Sequence, residues 1–329
     1  MSLDGRRVLV TGAGGFIGSH LSDALVRAGA RVTALTHYSS REDDANLDAL
    51  PAEVRAQLEI VRGDILDTHA IRRVSKGRDV IFHLAAQIAI PYSYQSPQIF
   101  LETNARGTMN VLEAALANDV ARVLHTSTSE VYGTAQYTPI DERHPLQAQS
   151  PYAASKIAAD KIAESFHRSY DVPVVTVRPF NTFGPRQSSR AIVPTILGQL
   201  AGGAPRLRLG SLDPVRDLNF VSDTVAGFVH LATAEGVVGE EFNLGSGVGV
   251  SVGELAGRAM AVAGRELPID CETTRLRPTK SEVMALVCDS ARARATGWRP
   301  RVDLDEGLRL TWVHISANPS AVRTAEFRA

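Results

Sequence analysis

The chain has little of what would build a disulfide-stapled, metal-bound, membrane-spanning or nucleic-acid-binding protein. Two cysteines, Cys271 and Cys288, stand in 329 residues. That is too few for a disulfide framework and fits a reducing cytoplasm. The nine histidines are scattered, and no His/Cys spacing matches a metal site, so no metal is expected. His83 lies in an apolar run and reads as a hydrogen-bonded core or near-cofactor residue rather than a ligand. Thirty-five Lys and Arg against 36 Asp and Glu give a net charge of −1, which argues against a nucleic-acid partner. No apolar run approaches the roughly 20 residues of a membrane span. The first strand-like run begins almost at once, so no signal peptide is expected. Internal repeats, low-complexity segments and long charge runs are also missing.

What is present is ordinary globular composition, 44% hydrophobic and 22% charged, arranged as alternating strands and helices. Short, β-branched runs, apolar on both faces, recur at 8–10, 32–35, 58–62, 80–84, 123–127 and 174–177. Such runs predict buried parallel strands, and the alternation predicts an α/β fold with a doubly wound parallel sheet. After Arg178, prolines and glycines cluster at Pro179, Gly184, Pro185, Gly202, Gly203 and Pro205. The reading is a dinucleotide-binding domain over 1–180 and a smaller, interleaved substrate domain over 181–329. A strand at 241–244 would return to the main sheet. The tail after Pro319 is expected to fray. The helix at 101–117 places Leu101, Ala105, Thr108, Leu112 and Leu116 on one stripe. The helix at 154–169 does the same with Ala154, Ile157, Ala158, Ile162, Ser165 and Phe166. Both stripes have the spacing of faces that pack on the sheet.

The N-terminal RRVLVTGAGGFIGSHLSDALVRAG reads as strand, glycine turn, helix. Gly12, Gly15 and Gly18 let the backbone turn tightly and approach a pyrophosphate, which the helix N-terminus stabilises. Their Gly-x-x-Gly-x-x-Gly spacing differs from the common Gly-x-Gly-x-x-Gly fingerprint. The richest stretch is HTSTSEVYGTAQYTPIDERHPLQAQSPYAASK, with Thr128, Ser129 and Glu130, then Tyr152 and Lys156 one helical turn apart. An ammonium beside a phenol favours the phenolate, making Tyr152 a base, and Glu130 is a second proton acceptor. Together with a nucleotide loop, these groups point to redox-assisted chemistry on an alcohol. NAD binders usually place an acid at the end of the second strand. Thr36 holds that place here, followed by His37, Tyr38, Ser39, Ser40 and Arg41. Ser39 and Arg41 would suit a 2′-phosphate, so the reading leans to NADP with NAD left open.

TGAGGFIG, Gly63-Asp64-Ile65, HLAA at 83–86, Asn104, YAASK and RPFNTFGPRQ at 178–187 fall in the order of the extended short-chain dehydrogenase/reductase family, which the chain resembles over nearly its whole length. Within it, IAIPYSYQSP, TSTSEVYGTAQY and LGSLDPVRDLNFV resemble the nucleotide-sugar 4,6-dehydratases, in particular the N-acetylhexosamine-nucleotide enzymes of legionaminic acid pathways. The resemblance implies a homodimer built on the helices at 101–117 and 154–169, and a nucleoside diphosphate sugar as partner. It implies cofactor contacts at Gly12, Gly15, Phe16, Ile17, Gly18, Ser39, Arg41, Asp64 (on the adenine), Ile65, Leu84, Ala85, Ala86, Tyr152, Lys156 and Pro179. Substrate contacts would come from Asn181, Arg186, Arg216 and Arg277.

In the implied mechanism Tyr152 deprotonates the sugar C4 hydroxyl as hydride leaves C4, with Lys156 lowering its pKa and Thr128 orienting the C4 oxygen. Glu130 removes the C5 proton, water leaves from C6, and hydride returns to C6. Ser129 stands where dTDP-glucose dehydratases carry Asp, so either Glu130 or water returns the proton to the leaving hydroxyl. The same residues fit a UDP-glucuronate decarboxylase, a 4-epimerase or a 5,6-dehydratase. A non-catalytic cofactor-sensing module is the reading from another class.

Overall fold

The structure is a computed structural model that describes residues 2–38, 43–276 and 278–317. Ser39, Arg41 and Arg277 lie outside those residues, as does the tail after Pro319. The six expected runs form β1 (Arg7–Thr11), β2 (Arg31–Thr36), β3 (Glu59–Arg62), β4 (Val80–His83), β5 (Arg122–Thr126) and β6 (Val174–Pro179). Seven more strands follow: β7 (Asn181–Phe183), β8 (Leu207–Leu209), β9 (Val215–Phe220), β10 (Glu241–Leu244), β11 (Gly249–Ser251), β12 (Ile269–Cys271) and β13 (Ala285–Leu286). The main sheet has seven strands in the order β10-β6-β5-β4-β1-β2-β3, and every neighbouring pair is parallel. The run at 241–244 does return, pairing Phe242 with Val177.

Alternation along each strand feeds two separate cores. Val8 and Val10 point into one, Leu9 into the other. The first core is closed by Leu21 and Leu25 of the helix Phe16–Arg27 and by Val225 and Phe228 of the helix Val221–Thr233. The second is closed by Ile71, Val111 and Ala163, on the helices Thr68–Ser75, Gly107–Ala117 and Pro151–Tyr170. Each fully buried aliphatic side chain contributes roughly 1.5–3 kcal/mol. Strand order reverses between β1 and β4, which opens a crevice at the carboxyl ends of those strands. Beside it, β9 anchors a four-stranded sheet with β7, β11 and β13, while β8 pairs with β12.

Two helical stripes differ from expectation. A π-helical turn at Leu101–Arg106 precedes the helix Gly107–Ala117. The wider turn breaks the 3.6-residue period: Ala105, Thr108 and Leu112 are buried, but Leu101 and Leu116 are exposed. On Pro151–Tyr170 the buried face is Tyr152, Ala153, Ser155, Lys156, Ala159, Asp160 and Ala163. Ala154 and Ser165 of the expected stripe are exposed, while Ile157, Ala158, Ile162 and Phe166 are half-buried. Lys156 and Asp160 thus share the buried face with small alanines, while Ile162 and Phe166 pack against the second core from its margin.

Candidate active site

The glycine turn is fixed by close approach. Gly12 has φ 72°, and a Cβ there would lie 2.7 Å from the Ala85 amide nitrogen, so β1 meets the end of β4 only through glycine. A Cβ on Gly18 would collide with the Gly12 carbonyl. Gly15 is the N-cap of Phe16–Arg27, with no side-chain cap and no acid in the first turn. The first amides are therefore left for a phosphate, and this cradle fits a dinucleotide. Thr11 Oγ1 accepts from the Leu84 and Ala85 amides, both at 3.2 Å. His83 is satisfied on both nitrogens, by Thr11 Oγ1 at 2.8 Å and Thr108 Oγ1 at 3.0 Å. Burial, then the charges of His125 and Lys156, holds its pKa well below the usual range.

Other expected cofactor residues have defined surroundings. Phe16 meets the His20 ring edge-on, Ile17 packs on the first core, and Ile65 lies tight under Gly107. Asp64 closes a turn, accepting from the Leu66 amide at 2.9 Å. Beside Thr36, which lacks an acid, Asp44 folds back so that its carbonyl and the Thr36 methyl both lie against Gly14. The Asp44 carboxylate is held by Arg55 (2.7 Å) and Arg62 (2.8 Å). Sequence reading missed this cluster, because only the path of the loop brings residue 44 back.

The Thr-Ser-Glu turn follows β5 directly. Thr128 caps the short 3-10 helix Ser129–Tyr132, accepting from the Glu130 amide at 3.2 Å, and its hydroxyl lies close enough to Tyr152 to favour the phenolate. Ser129 is buried and Glu130 half-buried. Tyr152 starts the helix Pro151–Tyr170, capped by Ser150 with Pro151 in its first turn. The Tyr152 ring packs with Ile90, Phe100 and Tyr94. The Tyr94 hydroxyl meets Ser281 Oγ at 2.6 Å, and Ser281 in turn donates to the Gln149 carbonyl. Asn104, in the π turn, accepts from the Gln87 amide (2.8 Å) and donates to Ser155 Oγ (2.9 Å), tying the loop after β4 to the tyrosine–lysine helix.

The expected electrostatics need correction. Burial raises the Tyr152 pKa, the Thr128 hydroxyl pulls it down, and the Glu130 and Asp160 charges raise it again. Lys156 points elsewhere, donating from Nζ to the Thr126 carbonyl at 2.7 Å. Burial lowers its own pKa to about 8 against the opposing charge of Asp160. In this arrangement Thr128, rather than Lys156, favours the phenolate.

Behind Lys156 is a buried network that sequence reading did not find. Asp160 accepts from His125 Nε2 (3.0 Å), Ser127 Oγ (2.7 Å) and Arg178 Nη2 (3.1 Å). Arg178, 1% exposed, also reaches Glu241 through both terminal nitrogens (2.9 and 2.7 Å) and Tyr132 Oη (3.0 Å). The available signal was an acid four residues after Lys156 on the same helical face.

The substrate segments are less complete. Asn181 Oδ1, Gln187 Oε1, Asn219 Oδ1 and Arg186 Nη1 are buried without a partner. Pro179 ends β6 beside Leu244. Arg186, at φ 67°, brings Nε to 3.2 Å from His20 Nε2 on the glycine-loop helix, and Asn46 donates to its carbonyl (3.4 Å). Burial and the Arg186 charge bring His20 down to about 4. Arg216 meets Glu282 at 3.4 Å. Among the described residues no group of three or more His, Cys, Asp or Glu is placed to hold a metal, and no helix is long and apolar enough to cross a membrane. Cys271 and Cys288 are free thiols, one exposed and one buried.

Known proteins share this architecture. The family model described as GDP-mannose 4,6 dehydratase matches residues 9–311. A dTDP-glucose 4,6-dehydratase of Streptomyces griseus is 35% identical over 314 residues, covering 93% of this chain and 94% of that protein. A UDP-glucose 4-epimerase of Mycolicibacterium smegmatis is 36% identical over 311 residues, covering 93% and 97%. The structure of the dTDP-glucose 4,6-dehydratase DesIV from Streptomyces venezuelae, solved with NAD bound, superposes with a TM-score of 0.87 at 31% identity, covering 96% and 99%.

Proposed function

The chain belongs to the GDP-mannose 4,6-dehydratase family, and from that premise we propose that it is an NAD(P)-dependent nucleotide-sugar 4,6-dehydratase, a lyase that makes a 4-keto-6-deoxy sugar nucleotide. One observation carries the reading. Thr128 accepts from the Glu130 amide and favours the Tyr152 phenolate, so one hydroxyl lies between the tyrosine and the turn that bears a carboxylate. A bound nicotinamide dinucleotide, its pyrophosphate held by the cradle of Gly12, Gly15 and Gly18, would supply a reversible hydride store for this chemistry.

The chain's own residues account for the proton movements. Tyr152 accepts the C4 hydroxyl proton, and Thr128 orients that oxygen. Lys156, one turn along the helix from the tyrosine, would hold the ribose of the bound nicotinamide. With C4 a ketone, C5–H is acidic, and Glu130 accepts that proton. Glu130 or a water returns one to the C6 hydroxyl so that it departs as water. Hydride return to C6 with reprotonation at C5 completes the product. The residues around IAIPYSYQSP and LGSLDPVRDLNFV support an N-acetylhexosamine nucleotide as substrate, held by Asn181, Arg186, Arg216 and Arg277. The half-exposed stripe on Pro151–Tyr170, with exposed Leu101 and Leu116, supports a homodimer. The exposed thiol of Cys271 supports a reducing compartment such as the cytoplasm.

Turnover of UDP, GDP, dTDP and CDP sugars, followed by mass spectrometry in heavy water, tests this reading. The expected product has lost water and carries one solvent deuterium at C5. Glu130→Gln should still oxidise C4 while water loss falls by about two orders of magnitude or more. Loss of carbon dioxide from a hexuronate would replace the reading with a decarboxylase. An isomer of unchanged mass would replace it with a 4-epimerase.

A further inference from the structure

We propose that Asp160 is a positioning residue, the buried counter-ion that keeps Lys156 charged and in place, and that Arg178 and Glu241 hold Asp160 in that role. The proposal rests on reading Tyr152 and Lys156 as the redox pair.

The geometry is specific. Lys156 and Asp160 are one turn apart on the same buried helical face, at 3% and 2% exposure. An ammonium removed from water is costly unless an opposite charge accompanies it. The Thr126 carbonyl supplies a hydrogen bond to Lys156 but no full charge, and Asp160 is the group that opposes the effect of burial on the ammonium. Asp160 is fixed from three sides, by His125 and Ser127 on or next to β5 and by Arg178 on β6. Burial alone would raise its carboxyl. The His125 hydrogen bond and the charges of Arg178 and Lys156 outweigh that and keep it ionised.

Left alone, Arg178 would neutralise Asp160 and cancel its field at Lys156. Glu241 prevents this, because it takes both terminal nitrogens of the same guanidinium. The four groups Lys156, Asp160, Arg178 and Glu241 then balance two positive charges against two negative ones. The other titratable groups around the ammonium do not replace Asp160. His83 on β4 and His125 on β5 both have pKa values lowered, first by burial, so neither carries a charge at neutral pH. Burial favours the neutral phenol of Tyr152 before substrate arrives, and Glu130 is not among the charges acting on the ammonium.

The sign of the expected effect follows. If activity needs a protonated Lys156, it is lost as pH rises through the lysine pKa. Removing the negative charge of Asp160 lowers that pKa, so the loss should come at lower pH. The chain has four lysines, Lys76, Lys156, Lys161 and Lys280, so Lys156 can be followed in the full-length protein by 15N-lysine NMR, with Lys156→Arg assigning its signal. In Asp160→Asn the Lys156 midpoint should fall by about one pH unit or more, a free-energy change of roughly 1.4 kcal/mol per unit. The basic limb of the kcat/KM profile should move with it. Glu241→Gln, remote from the crevice, should shift both in the same direction by less. If Asp160→Asn lowers Tm and leaves both midpoint and limb in place, Asp160 is only structural and the proposal is overturned. Should Asp160→Asn not fold, Glu241→Gln decides: a downward shift supports the proposal and an unmoved midpoint overturns it. The NMR midpoint needs no turnover, so it still answers if the wild type acts on none of the sugars tested and the functional reading fails.

Discussion

At one end of the crevice Thr128, Lys156 and Asp160 find hydrogen-bond partners inside the chain. At the other, Asn181, Gln187, Asn219 and Arg186 each keep a buried polar atom without one. Leaving such an atom unpaired costs about 1–3 kcal/mol, so the two ends are built for different tasks. The first end is nearly complete before anything binds, with His125 Nδ1 and Thr126 Oγ1 its unpartnered buried atoms among the described residues, as suits an electrostatic device that must not reorganise during reaction. The second end is less finished, and under the proposed function its missing bonds are the ones a sugar nucleotide would supply. The first end should therefore govern rate, the second affinity.

The largest effect that would sharpen this contrast is expected at Tyr152. Tyr152→Phe should fold, retain cofactor and lose C4 oxidation by about 100-fold or more, with KM little changed. Turnover near that of wild type would remove the tyrosine from the mechanism and with it the idea of a nearly complete redox end. A second test concerns the adenosine ribose. Thr36 brings no acid, and Asp44 nearby is already paired with Arg55 and Arg62. Arg41→Ala should then weaken NADP more than NAD by about 1–3 kcal/mol in a binding titration. Equal weakening of the two, or NAD retained on purification, would end the NADP reading. The smallest expected effect would break the contrast most directly if it failed. Asn181→Leu replaces an unpartnered buried amide by an apolar group of similar size. It should raise stability by about 1 kcal/mol in denaturant melts while weakening sugar-nucleotide binding. A variant that loses stability instead would show that Asn181 is satisfied within the protein.

The sheet, its returning strand and the crevice were all legible in the sequence, because two-sided β-branched runs and a glycine turn have few other uses. The placement of Thr128 and Glu130 followed from the end of β5. What escaped has physical causes. The π turn at Leu101–Arg106 adds a residue that no fixed period anticipates. The buried face of Pro151–Tyr170 was masked because a charged pair, Lys156 and Asp160, occupies a position where apolar residues are normally sought. Arg178 and Glu241 meet only because β6 and β10 are neighbours across 63 residues of sequence. The electrostatics of Tyr152 were misjudged because spacing shows which groups are near and says nothing of how deeply they are buried.

The strand β10 also has a consequence for synthesis. β6 is made early, but its neighbour on one side is not translated until residues 241–244. At roughly 5–20 residues per second, the nascent chain carries an unpaired parallel edge at β6 for several seconds. Through that interval Arg178 has Asp160 but not Glu241 to balance it. An edge of this kind is open to pairing with another chain. The sheet and the charge balance behind Lys156 are thus completed by the same late event, the arrival of a short strand from the second half of the chain.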